Sequence, residues 1–239
     1  MSIELTRRYL DACLENKEDQ IRSFLNEESF EKHFETGYDS FGPDEIYLSN
    51  DVFFDCIEWL DVQVINQYES KIIDNAYSYA LLEVKSSGKF KDKNLTFQNL
   101  ECQLFKWSHD HLLVTHKFFG NVLLGQNSID KINAPKLSSN VEENINLNGK
   151  NAYFSILNNQ INSNSNFFYP ETSISILTHQ KEAIHDIQLE EFNKRYQKLN
   201  IRNKNHIIET SFASGNTSIV ESKITGNEES NLPFEMREC

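Results

Sequence analysis

The fold of this chain can be argued from residues 95–119, which read LTFQNLECQLFKWSHDHLLVTHKFF. Apolar and polar residues alternate on both sides of Ser108-His109-Asp110, which is typical of two half-buried strands joined by a tight turn. Two more strand patterns precede this segment, and the polar segment Ser86-Ser87-Gly88 is typical of another turn. We therefore predict an antiparallel meander with strands at 62–68, 77–85, 95–107 and 112–119.

Helical patterns come before the meander. One predicted helix carries Leu10, Cys13 and Leu14 on one face, and a second carries Ile21, Phe24 and Leu25. A third is predicted to start at an Asn50 or Asp51 cap, because these side-chain oxygens can accept free amide hydrogens of the first turn. Its core-facing stripe is Phe53, Cys56, Ile57 and Leu60. Helices followed by an antiparallel meander give an α+β fold class.

The second half of the chain repeats this order at an offset of about 138 residues. The repeat matches Phe192, Tyr196 and Leu199 to Phe53, Ile57 and Leu60, and Glu221, Lys223 and Gly226 to Glu83, Lys85 and Gly88. Between the halves, residues 126–150 are rich in Asn and Ser and lack a helix or strand period, which is typical of a linker. We predict units at 1–125 and 151–239. Because Cys239 aligns with Cys102, the second unit is expected to lack its final strand.

The resemblance to a known family rests on this order of elements and on two motifs. These are Leu104-Phe105-Lys106-Trp107, and the last strand from Leu112 to Phe119 after a polar turn. In the second half, residues 168–176 precede residues 181–184 as a short strand precedes the third helix in the family. Together they resemble the cone-shaped α+β fold of the nuclear transport factor 2-like superfamily, in its SnoaL-like branch. The resemblance implies two such units in tandem, each with a curved antiparallel sheet against helices.

The resemblance also implies a pocket between sheet and helices. Some members use it for acid/base chemistry on enolisable carbon acids, and others only bind a ligand or partner. The last strand here reads His116-Lys117-Phe118-Phe119-Gly120, whereas SnoaL-like members often carry acidic residues there. We therefore predict first a non-catalytic protein that binds a small apolar molecule or a protein partner. The alternative is a polyketide cyclase or ketosteroid-isomerase-type enzyme with His116 as base and Tyr9 as hydrogen-bond donor.

Alternation divides the predicted meander into two faces. The apolar face carries Ala80, Leu82, Val84, Leu100, Cys102, Leu104, Leu112, Val114, His116 and Phe118. The predicted ligand contacts are Leu82, Cys102, Leu104 and Val114 from this face, with Asp55 and Glu58 at the pocket mouth. On the other face we predict a protein interface of Tyr79, Phe105 and Trp107, because aromatic anchors with a polar rim are typical of such surfaces. It would pair the two units as an internal pseudo-dimer or join two chains as a homodimer; two independent units are the alternative.

The net charge disfavours two classes of binding partner. The chain has 23 Lys and Arg against 36 Asp and Glu, a net charge of −13, which disfavours binding to nucleic acid or to an anionic membrane. The four cysteines lack zinc-ligand or dithiol spacing, and no nucleotide-binding, serine-hydrolase or zincin motif occurs. We therefore expect no metal and no cofactor. Reduced thiols, a cytoplasmic location and a bacterial source are also expected, the last because the chain is rich in Asn, Ile and Lys.

Overall fold

The computed structural model describes residues 2–34, 38–70, 76–92, 95–124, 149, 151, 173–176, 184–188, 202–214, 217–227 and 233–238. The chain divides into two compact units. The first comprises residues 1–134 and 179–181, and the second comprises residues 135–178 and 182–239. None of the helices within the described ranges is long and apolar enough to cross a membrane.

The first unit is an α+β structure, as the order of sequence patterns predicted. Its helices are α1 (Ser2–Leu14), α2 (Glu18–Ser23) and α3 (Gly42–Cys56). Its strands are β1 (Phe30–His33), β2 (Tyr38–Phe41), β3 (Ile57–Glu69), β4 (Tyr77–Phe90), β5 (Thr96–Ser108) and β6 (Leu113–Leu124). They form one sheet in the order β2-β1-β6-β5-β4-β3. The β1–β6 pair is parallel and the other pairs are antiparallel, so β3 to β6 form the predicted meander.

Helix α3 begins and ends earlier than the sequence predicted. It begins at Gly42, whose φ of 70° lies in the left-handed region, and a proline occupies its first turn. Asn50 and Asp51 therefore lie inside the helix rather than at its cap; the Asn50 amide donates to the Cys13 carbonyl. The helix ends at Cys56, and Ile57 already pairs with Phe90 across β3 and β4. The predicted stripe is thus wrong, because its last two residues belong to a strand.

The segment Ser86-Ser87-Gly88 is a second correction, since it continues strand β4 instead of forming a turn. A Cβ atom at Gly88 would lie 2.6 Å from the Phe97 ring and 2.8 Å from the Trp59 carbonyl oxygen. Glycine is needed here because its neighbours on both adjacent strands approach the backbone closely. The other predicted turn, at His109 and Asp110, is confirmed between β5 and β6.

Helix α1 packs on the sheet and forms the main core of the first unit. Its buried residues are Ser2, Leu5, Thr6, Tyr9 and Ala12. Trp107 is fully buried and its indole Nε1 donates a hydrogen bond to Thr6 Oγ1 at 2.9 Å. The core cluster comprises Leu5, Tyr9, Ala12, Ile21, Phe24, Leu25, Ile46, Ala80, Leu82, Val84, Phe105, Trp107 and Leu113.

Strand register corrects the predicted faces of the meander. Ala80 pairs with Phe105 and Leu82 with Gln103, so the inward residues of β5 are the odd-numbered ones. Leu100, Cys102 and Leu104 therefore lie on the opposite face of the sheet from Leu82, and Phe105 and Trp107 lie on the helix-covered face. On β6, Lys106 and Trp107 pair with Thr115 and Leu113, which skips Val114 and places Leu113 in the core.

The described strands of the second unit form two separate sheets. Strands β7 (Ser173–Ile176) and β8 (Ile184–Gln188) pair with each other, and β9 (Arg202–Ser214), β10 (Thr217–Asn227) and β11 (Pro233–Glu238) form an antiparallel meander. Gly226 pairs with Phe234, as the aligned Gly88 pairs with Phe97 in the first unit. The predicted helix with Phe192, Tyr196 and Leu199, the Cys239 position and most of the linker lie outside the described residues. The tandem repeat, its incomplete second unit and the exact unit boundaries stay predictions.

Candidate functional site

A group of hydrogen-bonded polar side chains lies on the helix-covered face of the first unit. We call it the polar cluster; its members are Tyr9, Glu31, His33, Glu101, Gln103 and His116. They come from α1, β1, β5 and β6, and four of them are buried: Tyr9, Glu31, Gln103 and His116. Buried ionisable groups that face one another are typical of functional sites, because desolvation shifts their proton affinities.

Strand pairing brings these residues together. Glu31 on β1 lies beside His116 on β6 in the parallel pair, and His116 lies opposite Phe105 on β5. One step along the ladder, Gln103 pairs with Phe118. Because side chains two residues apart on a strand share a face, His33 follows Glu31, and Glu101 follows Gln103. The cluster is therefore a row that crosses three adjacent strands.

His116 lies at the centre of the row and is only 2% exposed. Its Nδ1 lies 3.2 Å from Glu31 Oε2, and its Nε2 lies 3.1 Å from Gln103 Oε1. The Phe105 ring stacks on the imidazole at a centroid distance of 4.0 Å, and the Tyr9 ring meets it edge-on at 5.9 Å. The imidazole is thus fixed in position by two polar partners and by aromatic rings on its faces.

Glu31 is the buried carboxylate of the cluster. Its Oε1 lies 3.0 Å from His33 Nε2, while its Oε2 faces His116. Burial disfavours the ionised form, yet the hydrogen bonds with His116 and His33 outweigh burial and lower the pKa of Glu31 to about 2. Burial lowers the pKa of His116 below its ordinary value, against the opposing effect of Glu31. At neutral pH the cluster therefore contains an ionised Glu31.

Two further groups of the cluster have raised proton affinities. Burial, followed by the proximity of Cys13 and Glu31, raises the pKa of Tyr9 well above its ordinary value. Burial also raises the pKa of Glu101, although the amides of Gln103 and Asn99 hydrogen-bond to its carboxylate. Tyr9 is therefore a permanent hydrogen-bond donor, and Glu101 is a carboxyl group that gains a proton more readily than an ordinary glutamate.

The two residues predicted from sequence as a catalytic pair, Tyr9 and His116, do lie in contact. The other predicted site residues are dispersed. Leu82 is buried in the core beneath α1, while Cys102 and Leu104 lie on the opposite sheet face and Val114 lies at the irregularity in β6. Of the predicted interface residues, Phe105 and Trp107 are fully buried in the core, so only Tyr79 lies on the face away from the helices.

Asp55 and Glu58 lie apart from the polar cluster. Asp55 is exposed near the end of α3, and Glu58 lies on β3, where its carboxylate pairs with Lys89 Nζ at 2.7 Å. Glu58 does line a surface depression of about 270 Å³. The other residues that line it are Leu14, Phe54, Ile57, Trp59, Leu60 and Val62.

The sequence reasoning missed Glu31, His33, Glu101 and Gln103. Glu31 lies in the short strand Phe30–His33, which is too brief to give a clear alternating pattern. Glu101 and Gln103 lie on the face of β5 that carries Phe105 and Trp107, and this face was predicted to be a protein interface, because alternation alone does not fix the register between neighbouring strands. Among the described residues, no group of three or more His, Cys, Asp or Glu side chains is placed to hold a metal ion.

Comparison with known proteins gives similarities at the level of structure. No family model and no curated protein matches the chain. A protein with a ketosteroid isomerase-like fold from Catenulispora acidiphila, solved with trimethylamine, is 12% identical, with a TM-score of 0.41; the match covers 48% of this chain and 84% of that one. A protein described as a SnoaL-like polyketide cyclase from Shewanella denitrificans is 10% identical, with a TM-score of 0.41 and coverages of 49% and 88%.

A third similar structure is the hexachlorocyclohexane dehydrochlorinase LinA-type3 from Novosphingobium barchaimii. It is 12% identical to this chain, with a TM-score of 0.45, and the match covers 55% of this chain and 90% of that one. At these scores the similarities carry no residue role over to this chain.

Proposed function

We propose that the first unit is a SnoaL-like acid/base site that binds a small, largely apolar carbon acid and moves a proton on it. One observation carries this proposal: His116 Nδ1 lies 3.2 Å from Glu31 Oε2 on the sheet face that the helices cover. A carboxylate on one imidazole nitrogen fixes the tautomer and the ring orientation, which an acid/base histidine needs.

Glu31 also supplies the carboxylate that the last strand lacks. The last strand lacks the acidic residues that SnoaL-like members often carry, and this lowered the expectation of catalysis. Here a carboxylate comes from β1, which lies beside the last strand in the sheet. The chemistry therefore needs no acid on β6 itself.

The surroundings of His116 favour a flat and mainly apolar substrate. Phe105 and Phe118 lie against the imidazole at centroid distances of 4.0 and 3.9 Å. Such rings prefer offset-stacked or edge-on aromatic partners. Tyr9 keeps its proton at neutral pH, so its hydroxyl is suited to stabilise the negative oxygen that forms when a ketone loses an α-proton.

The test is hydrogen–deuterium exchange at the α-carbons of a panel of polycyclic ketones, followed by NMR with the full chain. We expect wild-type protein to accelerate exchange of at least one ketone by about 100-fold or more over buffer. His116→Gln should remove the acceleration, and the matched control His109→Gln, in the exposed turn, should keep it. Exchange at the buffer rate across the panel, or an unchanged rate in His116→Gln, would contradict the proposal.

A second candidate function is binding of a small apolar ligand without turnover. It is favoured by the burial of His116, whose two ring nitrogens are both engaged by side chains of the same chain. Native mass spectrometry of gently purified protein distinguishes the two. A retained small molecule, with no exchange of any ketone, would support binding alone.

The same spectrum tests the predicted pairing of units or chains. Tyr79 remains the candidate interface residue on the outer sheet face. A dimer that Tyr79→Ala converts to a monomer would support a homodimer through this face. A dimer that survives the substitution would contradict it.

A further inference from the structure

We propose that Glu101 is a second proton-exchanging group of the polar cluster, and that it shares one proton with His116 through the side-chain amide of Gln103. The catalytic meaning of this inference rests on the proposed function. The sharing itself follows from the hydrogen bonds of three residues and is tested without any substrate.

The geometry is a continuous chain of polar contacts along β5. Asn99, Glu101 and Gln103 alternate on this strand and so share one face. Gln103 Nε2 donates a hydrogen bond to Glu101 Oε1, and Gln103 Oε1 lies 3.1 Å from His116 Nε2. Asn99 Nδ2 donates to Glu101 Oε2 at 2.7 Å. Gln103 thus forms hydrogen bonds with both His116 and Glu101.

A side-chain amide has one accepting end and one donating end. The orientation of Gln103 therefore limits which of its neighbours, His116 or Glu101, can carry a proton towards it. With Gln103 Oε1 towards His116, the imidazole must donate from Nε2 while Nδ1 donates to Glu31. His116 is then an imidazolium, and Glu101 is an ionised carboxylate that accepts from Gln103 Nε2. We call this arrangement the inner-proton state.

Rotation of the Gln103 amide by half a turn gives the other satisfied arrangement. Gln103 Nε2 then donates to a neutral His116, and Gln103 Oε1 faces Glu101, which must carry a proton to donate to it. His116 has lost its Nε2 proton and Glu101 Oε1 has gained one, so the proton count and the net charge of the pair are unchanged. We call this arrangement the outer-proton state. Loss of the shared proton would leave the Gln103 oxygen facing an acceptor in either orientation.

The remaining groups around the pair set the balance between the two states. His116 is faced by Glu31 and His33 from β1 and by Tyr9 from α1. Glu101 is faced by His33 and Glu31 across the sheet, with Asn99 and Gln103 on its own strand. Burial lowers the pKa of His116 and raises the pKa of Glu101, and both directions favour the outer-proton state.

The two ends of this row of hydrogen bonds differ in their exposure to solvent. His116 is almost fully buried, whereas Glu101 is partly exposed. In the inner-proton state the Glu101 carboxylate can accept a proton from a carbon acid. The C–H bond breaks, an O–H bond forms on Glu101, and the electron pair stays on the substrate as its enolate. Return of that proton to a different carbon completes an isomerisation with no other reactant. Gln103 then acts as a positioning residue that couples Glu101 to the acid/base group His116.

The experiment follows protonation directly in the full chain. The Glu101 Cδ and the His116 ring nitrogens are observed by NMR between about pH 4 and pH 9, a range that covers the ordinary pKa values of both groups. We expect both signals to change with a common midpoint in wild type, because strongly interacting groups titrate as a pair. Gln103→Met keeps the length of the side chain and removes the amide, so the two midpoints should separate. Glu101→Gln should change the apparent proton affinity of His116 by about tenfold or more.

The matched control is Glu83→Gln, which removes a carboxylate on the opposite face of β4, where Glu83 accepts hydrogen bonds from Asn66 and Tyr68. This control should leave the midpoint of His116 unchanged. An ordinary carboxyl titration of Glu101 in wild type, independent of His116, would overturn the inference even if no variant folds. An unchanged His116 midpoint in both Gln103→Met and Glu101→Gln would do the same. Since no ketone is present, this result is separate from success or failure of the proposed activity.

Discussion

Replacement of Glu31 by glutamine should change how the stability of the first unit depends on pH. The pKa of Glu31 is lowered from 4.5 to about 2 in the folded protein by its bonds with His116 and His33. The native state therefore holds fewer protons than the unfolded state between these values. The stabilisation by Glu31 is complete above about pH 4.5, the ordinary pKa of an unfolded glutamate, and is lost as the pH falls towards 2.

The magnitude follows from the same pKa values. One pKa unit corresponds to about 1.4 kcal/mol, so lowering the pKa of Glu31 from 4.5 to about 2 corresponds to about 3 kcal/mol. We expect Glu31→Gln to reduce the free energy of unfolding by about 3 kcal/mol at pH 7. Near pH 2 the variant and wild type should be similar, because Glu31 is then about half protonated and most of its stabilisation is lost.

The assay is urea unfolding followed by tryptophan fluorescence at several pH values. The chain has two tryptophans, and both Trp59 and Trp107 lie on strands of the first unit, so the signal reports that unit alone. Asp55→Asn, at an exposed position on α3, is the matched control for loss of one carboxylate. A constant stability difference between Glu31→Gln and wild type from pH 7 to pH 2 would show that the lowered pKa of Glu31 does not stabilise the folded first unit.

Three further predictions concern packing and reactivity. Trp107→Ala should lower the free energy of unfolding by about 3–5 kcal/mol, measured by thermal melting, because it removes a fully buried indole. Gly88→Ala should lower the melting temperature at a cost of about 1–3 kcal/mol, since the new methyl group meets the Phe97 ring and neighbouring backbone. Burial, followed by nearby carboxylates, raises the pKa of Cys102 to about 12, so iodoacetamide should alkylate exposed Cys56 well before Cys102 in a digest analysed by mass spectrometry.

Each of these predictions has a control on the same strand or in the same experiment. Trp59→Ala removes an indole that is 45% exposed and should cost much less than Trp107→Ala. Ser87→Ala, beside Gly88 on β4, should leave the melting temperature almost unchanged. In urea the alkylation rates of Cys56 and Cys102 should become similar. Equal effects of the two tryptophan variants, a neutral Gly88→Ala, or equal thiol reactivity in native protein would contradict the packing described above.

The sequence carries enough information to predict the meander, because β3 to β6 present long alternating patterns. It does not show where α3 ends. The apolar residues around Ile57 fit a helical period, but the strand that begins there pairs with β4, and this tertiary pairing overrides the local pattern. The local sequence around Gly88 also favours a structure that the tertiary fold does not adopt. Glycine after two serines is typical of a turn, whereas here it permits close approach of neighbouring strands.

The candidate site is only partly predictable, and strand register is the reason. His116 and Tyr9 were found as a chemically suitable pair on separate elements, and they do meet. Phe105 and Gln103 were assigned to the wrong side, because a relative error of one residue between adjacent strands exchanges the faces of every side chain on one of them. Glu31 was missed because its partner His116 is 85 positions away and nothing in the local sequence links them.

The parallel pairing of β1 with β6 has a consequence for how the protein folds. β1 lies near the start of the first unit and β6 is the last strand of its meander, so their contact closes a loop of more than half the unit. Such closure costs chain entropy before any contact compensates it, which makes it slow relative to local hairpins. During synthesis Glu31 emerges long before His116, so the polar cluster forms only when β6 docks beside β1. The order of assembly thus keeps the ionised cluster from forming until the meander that shields it from water is complete.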